Sequence, residues 1–566
     1  MRAVQPNWRS VAAGALTVLA ALLVLLALNI PIQAVPEEVD RDTFVPLPLQ
    51  SFARLPLEAL AFFALMLALP ARLGRVRTGL AIVAGIVLAV ASIFKILDIG
   101  FGQALNRPFD PLIDWTYGRD VIDLVRDSFG AGPGTVILVL GTLLALALLV
   151  LLPLALLRLT RLAVRHRRRT WQTLGVLASL WLVLALLDVR SDTGELASSD
   201  TSRYVYGQVS RIPSELRDQE RFAKAAENDP LRDVPPHQLL TGLRGKDVLF
   251  VFVESYGRVA VEGSSFSSGV DAVLASGDRQ LARAGFSSRS AFLTSSTFGA
   301  LSWLAHSTLQ SGLWVDSQQR YDLLVTGSRL TLSQVFGRAG WRTVDVVPAN
   351  NRDWPQGEFY KYDHIYDSRN IGYEGPRFGY PTMPDQFTLD AVQHLELAKK
   401  DRRPLMAEVD LITSHAPWSR IPRMIDQSAV GDGSVYDGMP EQLPSAGDIW
   451  PDPTRIRAAY GQSIEYSLRA MFRFLTTYGD DDLVVVMLGD HQPATVVSGE
   501  DAGRDVPISV ISRDKNVIDA ISGWEWDVGL HPESDAPVWR MDAFRDRFLA
   551  AYGSSEDTGS DAASGR

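Results

Sequence analysis

The 566-residue chain contains no cysteine. It can therefore form no disulfide, so any part of it outside the cytoplasm must hold its shape by core packing alone, and thiol nucleophiles are excluded. Basic charge is not in excess either. The 55 Lys and Arg stand against 65 Asp and Glu, a formal net charge of -10, which argues against nucleic acid as a partner. No internal repeat is evident. The last stretch, GSSEDTGSDAASGR (553–566), has nothing from which to build a core and is expected to be a disordered tail.

Hydrophobic residues, by contrast, make up 47% of the chain beside 21% charged residues, and they are bunched. Apolar runs at about 11–30, 55–73, 79–98, 134–157 and 170–189 approach the ~20 residues needed to cross ~30 Å of hydrocarbon. Five membrane helices are expected, forming a transmembrane domain over 1–190. The first run outlasts the ~7–15 apolar residues of a signal peptide and reads as a retained anchor. Arg2 and Arg9 precede it, Arg72, Arg75 and Arg77 fill the turn after the second run, and RLTRLAVRHRRR (158–169) separates the fourth from the fifth. Clusters of this kind stay in the cytoplasm. The N-terminus is then inside, and everything after the fifth helix lies outside the cytoplasmic membrane. Lys95 and Asp98, near the outer end of the third run, read as a snorkelling i,i+3 pair rather than part of a substrate path. In RDVIDLVRDSFG (119–130), Val121, Ile122, Val125 and Phe129 share one helical face suited to the membrane surface.

A polar linker over 191–245, with Pro213, Pro230, Pro235 and Pro236, leads into a region whose pattern changes. From 246 to 552 short apolar runs (VLFVFV, RTVDVV, PLMAEVDLI, LVVVML, PISVIS) alternate with helical periodicity near 270–284, 302–310, 331–339, 386–400 and 454–477. That alternation predicts an α/β domain with a mainly parallel central sheet covered by helices.

In such sheets ligands gather where parallel strands end. VLFVFV runs straight into Glu254, LVVVML into Gly489, Asp490 and His491, and PLMAEVDLI into TSHAPW with His415. Two carboxylates and an imidazole at one sheet edge suit a divalent cation such as Mn, Zn or Mg. Each residue taken alone also fits an ordinary cap or turn. The hydroxyl-rich TSSTFGALSWLAHSTLQSG (294–312) opens a helix at Ser302 after Gly299. A hydroxyl there lies beside free N–H groups and can face an anionic phosphoryl group, yet Ser302 also reads as a plain N-cap. His306, one turn on, reads as a packed helix histidine. His364 and His394 read as structural or solvated.

The ordered set of VESYG, a hydroxyl after a glycine turn, TSHAPW and LGDHQP resembles the alkaline phosphatase/sulfatase superfamily. With five membrane helices ahead of it, the chain most resembles lipoteichoic acid synthase and related phosphoglycerol or phosphoethanolamine transferases. The resemblance covers roughly 246–515 and the membrane topology. It implies an alkaline phosphatase-like fold and one divalent metal, Mn foremost with Zn, Mg or Ca as alternatives, held by Glu254, Ser302, Asp490 and His491. Ser302 would be the nucleophile, and His415 would meet the phosphoryl oxygens or the leaving group. Asn351, Arg352 and Trp354, in VPANNRDWPQGEFY (347–360), would line the substrate. Related transferases carry Thr at the nucleophile, which leaves Thr297 and Ser307 as alternatives. Trp303 and Leu304 replace small or polar residues, and SWLAH does not match the C/S-x-P-S-R pattern of formylglycine sulfatases.

The implied activity is transfer of a phospho-head group from a membrane phospholipid to an envelope glycan or lipid acceptor through a covalent serine intermediate. A hydrolase of the same fold (phosphodiesterase, phosphatase or sulfatase) and a metal-binding inactive scaffold are the alternatives. The long Pro- and Gly-rich segment 416–453 beside His415 reads either as a lid or as a disordered insertion.

Overall fold

The structure is a computed structural model describing residues 8–31, 54–105, 109, 131–191 and 194–553. The amphipathic segment 119–130 and the tail beyond 553 lie outside the described residues. The chain divides into two compact units, one comprising Met1–Gln103 and Arg107–Asp218, the other consisting mainly of Gln219–Arg566.

The first unit is built from α1 (Trp8–Leu28), α2 (Leu57–Ala68), α3 (Gly74–Leu105), α4 (Ala131–Arg165) and α5 (Arg167–Leu186). Among the described residues four helices are long and apolar enough to cross a membrane. The second expected span differs. It is a helix of 12 residues, entered from Pro56 and stopped at Leu69 before Pro70, because proline cannot continue the hydrogen-bond ladder.

Short as it is, α2 connects the same two ends of the unit as its neighbours. At one end Leu55 pairs with Ala197, the Asn29 amide donates to the Arg54 carbonyl at 3.1 Å, and Thr201 donates to the Leu28 carbonyl at 2.8 Å. At the other, the Arg77 guanidinium donates to the Leu69 carbonyl at 2.6 Å and Arg158 donates to the Ala13 carbonyl at 2.5 Å. The five helices thus alternate in direction. Lys95 does not snorkel. It is fully buried, with its ammonium on the Leu28 and Ile30 carbonyls at 3.4 and 3.3 Å and the Thr201 hydroxyl at 2.8 Å, where the end of α1 leaves carbonyls unpaired.

The expected linker contains a helix, α6 (Asp200–Glu227), which carries Pro213 internally. Beyond it a nine-stranded sheet organises the second unit: β1 (Asp247–Val253), β2 (Ser287–Thr294), β3 (Arg342–Val347), β4 (His364–Asp367), β5 (Leu405–Leu411), β6 (Leu483–Gly489), β7 (Asp505–Ser512), β8 (Asp527–Val528) and β9 (Val538–Arg540). The spatial order is β8-β2-β7-β6-β1-β5-β3-β4, with β9 also paired to β2. The run β6-β1-β5-β3-β4 is parallel, whereas β7 runs antiparallel to both β6 and β2.

Continuous apolar runs are what strands need when both faces are covered. All of β1 and β6 is buried, and their residues alternate between two cores. Leu249, Val251, Val253, Val485 and Met487 face the core containing α7 (Ser267–Arg283) and α11 (Pro453–Tyr478). Val248, Phe250, Phe252, Val484, Val486 and Leu488 face the one containing α8 (Ser302–Ser311), α9 (Leu332–Arg338) and α12 (Phe544–Tyr552). The helix expected over 386–400 is α10 (Asp385–Val392), continued by a wider turn over Gln393–Leu397. The 416–453 segment forms short helical turns around buried Trp418, Tyr436 and Ile449, so it is packed against the sheet domain.

Candidate active site

Register brings the strand ends together. Gly489 pairs with Val253 and Val253 with Leu411, so Asp490, Glu254 and Ile412 leave the sheet at one level. The turn after β1 and the turn after β6 press against each other. A Cβ on Gly489 would lie 1.9 Å from the Tyr256 carbonyl oxygen, and one on Gly257 would lie 2.8 Å from Gln492 Cα, so both approaches require glycine. Glu254 N–H donates to the Leu411 carbonyl at 3.0 Å, and the next residue, Ser255, takes a left-handed φ of 56°. Asp490 Oδ1 accepts the backbone N–H of Ser255 and its own neighbour His491, both at 2.7 Å. The hydrogen bonds fix that carboxylate and leave its other oxygen, Oδ2, buried without a partner.

The third contributor enters from α8. The loop after β2 is tied to the β6 turn by Gly299 N–H on the Gln492 carbonyl at 2.8 Å and by the Ser295 hydroxyl on the Asp490 carbonyl at 2.5 Å. Leu301, at φ 71°, is the N-cap, and Ser302 is the first helical residue. The Ser302 hydroxyl therefore does not cap the helix. It donates to Glu254 Oε2 at 2.9 Å and lies 3.2 Å from His491 Nε2. His491 Nε2 is also 3.4 Å from Glu254 Oε1 and 3.5 Å from Asp490 Oδ2. Of the alternative hydroxyls, Ser307 is taken up by the Trp303 carbonyl at 2.5 Å and the Tyr360 phenol at 2.8 Å, and Thr297 Oγ1 is buried without a partner.

Electrostatics follow from two carboxylates sharing a buried site. Burial raises the Glu254 carboxyl, but its hydrogen bond to His491 and the charges of His415 and His491 outweigh that and hold it below its ordinary range. Asp490 is pushed up to about 6 by burial and by the Glu254 charge. Burial opposes a charged His491, yet Asp490 and Glu254 raise it to about 9. A field that favours a proton on Nε2 favours a cation in its place. Because Nδ1 donates to the Gln492 carbonyl at 2.8 Å, Nε2 can present its lone pair. One ligand atom each from Glu254, Asp490 and His491 lies within 4.8 Å of the others. With the orphaned Asp490 Oδ2 and the Ser302 oxygen beside it, this donor set fits one divalent cation.

His415 follows β5 at the same edge. The Ser414 hydroxyl donates to the Glu254 carbonyl at 2.5 Å, His415 Nδ1 lies 2.6 Å from the Ala416 carbonyl, and the Tyr380 ring stacks on the imidazole at 3.7 Å. Asp385, which sequence reasoning passed over, holds this segment in place. It accepts the Thr413 N–H at 2.9 Å and the Ser467 hydroxyl at 2.5 Å, while its own N–H donates to the Thr413 hydroxyl at 3.1 Å. Asn351, Arg352 and Trp354 follow β3, also at this edge. Asn351 and Arg352 are exposed, whereas Trp354 joins an aromatic cluster with Tyr360 and donates to the Tyr321 phenol at 3.2 Å. His306 packs against Phe252 at 3.8 Å between ring centres and also reaches Glu408, a partner the sequence does not disclose.

Residues 247–507 match the sulfatase family model. No curated protein matches the chain. Among solved structures, it is similar to the lipoteichoic acid synthase LtaP from Listeria monocytogenes, at 14% identity and a TM-score of 0.36 over 59% of this chain and 78% of that one. The C-terminal periplasmic domain of EptC from Escherichia coli is similar at 12% identity and a TM-score of 0.36, over 54% and 82%. The phosphoglycerol transferase GacH from Streptococcus pyogenes, in complex with sn-glycerol-1-phosphate, is similar at 13% identity and a TM-score of 0.33, over 60% and 91%.

Proposed function

From a domain over 247–507 that belongs to the alkaline phosphatase/sulfatase superfamily of enzymes, we propose a membrane-anchored transferase of phospho-head groups, of phosphoglycerol or phosphoethanolamine type. The observation that carries this reading is the Ser302 hydroxyl, 2.9 Å from Glu254 and 3.2 Å from His491 beside the orphaned Asp490 oxygen. The donor is a membrane phospholipid and the acceptor an envelope glycan or lipid. Apolar helices ahead of the domain support a lipid donor, because tethering raises the effective concentration of a membrane substrate and does nothing for a soluble one.

A divalent cation, Mn foremost, held by Glu254, Asp490, His491 and the Ser302 oxygen would lower the hydroxyl pKa and neutralise phosphoryl oxygens. Ser302 Oγ attacks phosphorus in line, forming an Oγ–P bond as the bond to the diacylglycerol oxygen breaks. The hydroxyl proton leaves along its hydrogen bond to Glu254, and protonated His415 donates a proton to the departing oxygen. In the second half, neutral His415 takes the proton of the acceptor hydroxyl as that oxygen attacks phosphorus, and Ser302 regains its proton as the Oγ–P bond breaks. Asn351 and Arg352, exposed after the end of β3, would meet the head group. The domain acts outside the cytoplasmic membrane, with the N-terminus inside.

Intact mass measurement on the full-length chain in detergent, with Mn(II) and candidate phospholipids, tests this. The parent should gain the mass of one phospho-head group and Ser302→Ala should gain none. An adduct that survives in Ser302→Ala rules out this nucleophile. Appearance of the group on water alone, never on an alcohol acceptor, would make the enzyme a hydrolase of the same fold.

A further inference from the structure

One turn beyond Ser302, α8 covers a second group of acidic side chains that the proposed chemistry does not use. Asp345 on β3 lies directly across from Glu408 on β5, and Glu408 and Asp410 point to the same side of their strand. This face of the sheet otherwise carries the apolar Val248, Phe250, Phe252 and Met406. Asp345 and Glu408 are 2% and 4% exposed. Carboxyls in such a place are matched by donors or cations, or hold a proton.

The donors present match only one of them. Glu408 receives His306 Nδ1 at 3.0 Å, the Tyr362 phenol at 2.7 Å and the Gln310 amide. Asp410 Oδ1 accepts no hydrogen bond, with His306 Nδ1 3.5 Å away, and Asp345 Oδ1, on the residue paired with Glu408, is likewise buried and unpartnered. The imidazole is held flat against Phe252, 12° from parallel, so its position is set by packing as well as by its polar partners. One ligand atom each from His306, Glu408 and Asp410 lies within 4.8 Å of the other two, close to the span across a single coordination sphere.

We propose that His306, Glu408 and Asp410 form a second divalent-cation site, with the buried Asp345 carboxyl beside it on the neighbouring strand. One imidazole with carboxylate oxygens takes Mn, Zn or Mg. His306 lies one turn beyond Ser302 on α8, and Asp410 pairs with Phe252, two residues before Glu254, so the second site neighbours the first. The two ions together balance five carboxylates, four of them buried, that two histidines cannot. The second ion also anchors α8, and with it Ser302, to β5.

Metal content measures this without reference to any reaction. The full-length chain in detergent is stripped with chelator, dialysed against Mn(II), and assayed for Mn per chain by elemental mass spectrometry and by electron paramagnetic resonance. The parent should hold two Mn(II), with a spectrum broadened by coupling between neighbouring ions. Asp410→Asn, which keeps the side chain's shape, should hold one and show the sharp six-line spectrum of an isolated ion. His306→Gln should do the same. One Mn(II) in the parent, or two retained in Asp410→Asn, overturns the second site. Glu254→Gln separates the two readings: if it lowers the count while Asp410→Asn does not, the first site stands and the second falls.

Discussion

The proton inventory of single side chains decides how the His415 segment is held. Asp385 is buried and pushed up to about 6 by that burial, although Ser467 and Thr413 hydrogen bonds act against the shift. An acid whose folded pKa exceeds its unfolded one favours the folded state below the unfolded value, here 3.8, and loses that contribution as pH rises through 6. The difference is on the order of 3 kcal/mol. Asp385→Asn should therefore remove this one contribution, so that between pH 4 and 7 its melting temperature falls less steeply than that of the parent. A parallel pair of curves would show that Asp385 is not the titrating group. Tyr380 gives a second residue-scale test. Its ring fixes one face of His415, so Tyr380→Ala should slow adduct formation about tenfold, the equivalent of one lost aromatic contact, with Mn content unchanged. Glu254, Ser302, His415, Asp490 and His491 were legible because each ends an apolar run or opens a helix. Asp385 and Glu408 were not, since they lie inside ordinary helix and strand patterns and their partners are distant in sequence.

At the scale of elements, the site depends on how closely two strand-end turns meet and on how α8 begins. Gly489→Ala places a methyl group where the Tyr256 carbonyl stands. The backbone must move, and the expected cost is roughly 1–3 kcal/mol, with loss of Mn binding because Asp490 and Glu254 are carried apart. Retained Mn affinity in a folded Gly489→Ala chain would show that the two turns are not coupled. Leu301 takes a left-handed conformation one residue before the hydroxyl, and Ser255 does so one residue after Glu254. Such strain of about 1–3 kcal/mol each persists where surrounding structure enforces it. Leu301→Gly should relax it, so the expected result is a chain at least as stable that forms the adduct more slowly, read from melting and single-turnover kinetics together. The parallel strands were readable from their apolar runs. Strand β2, SSRSAFLT, was not, because its serines resemble a loop; in the sheet Ser290 lies 2.7 Å from Ser509 on β7, so side-chain pairing across strands replaces an apolar pattern. Helix α6 was hidden by Pro213 within a polar stretch.

For the molecule as a whole, the side of the membrane on which the domain works follows from the number of crossings. Length alone counts four, since the 12 residues of α2 reach only ~18 Å at 1.5 Å per residue. Contacts argue for five: α2 enters where Leu55 meets Ala197, leaves where Arg77 reaches the Leu69 carbonyl, and packs Leu60 and Leu67 with Ala163 and Leu174 of α4 and α5. Four crossings would put the basic segments 72–77 and 158–169 on the side opposite Arg2 and Arg9, against the tendency of Arg-rich segments to remain in the cytoplasm. Five put both on the inside and release the chain outside after α5. Full-length chains carrying a reporter should then show cytoplasm-only fluorescence at the N-terminus, at Arg75 and at His166, and exported-phosphatase activity at Gly245. Cytoplasmic fluorescence at the N-terminus with none at Arg75 and His166 would establish that α2 does not cross. The domain would still be the same enzyme, but Ser302 would face a different leaflet and a different set of acceptors.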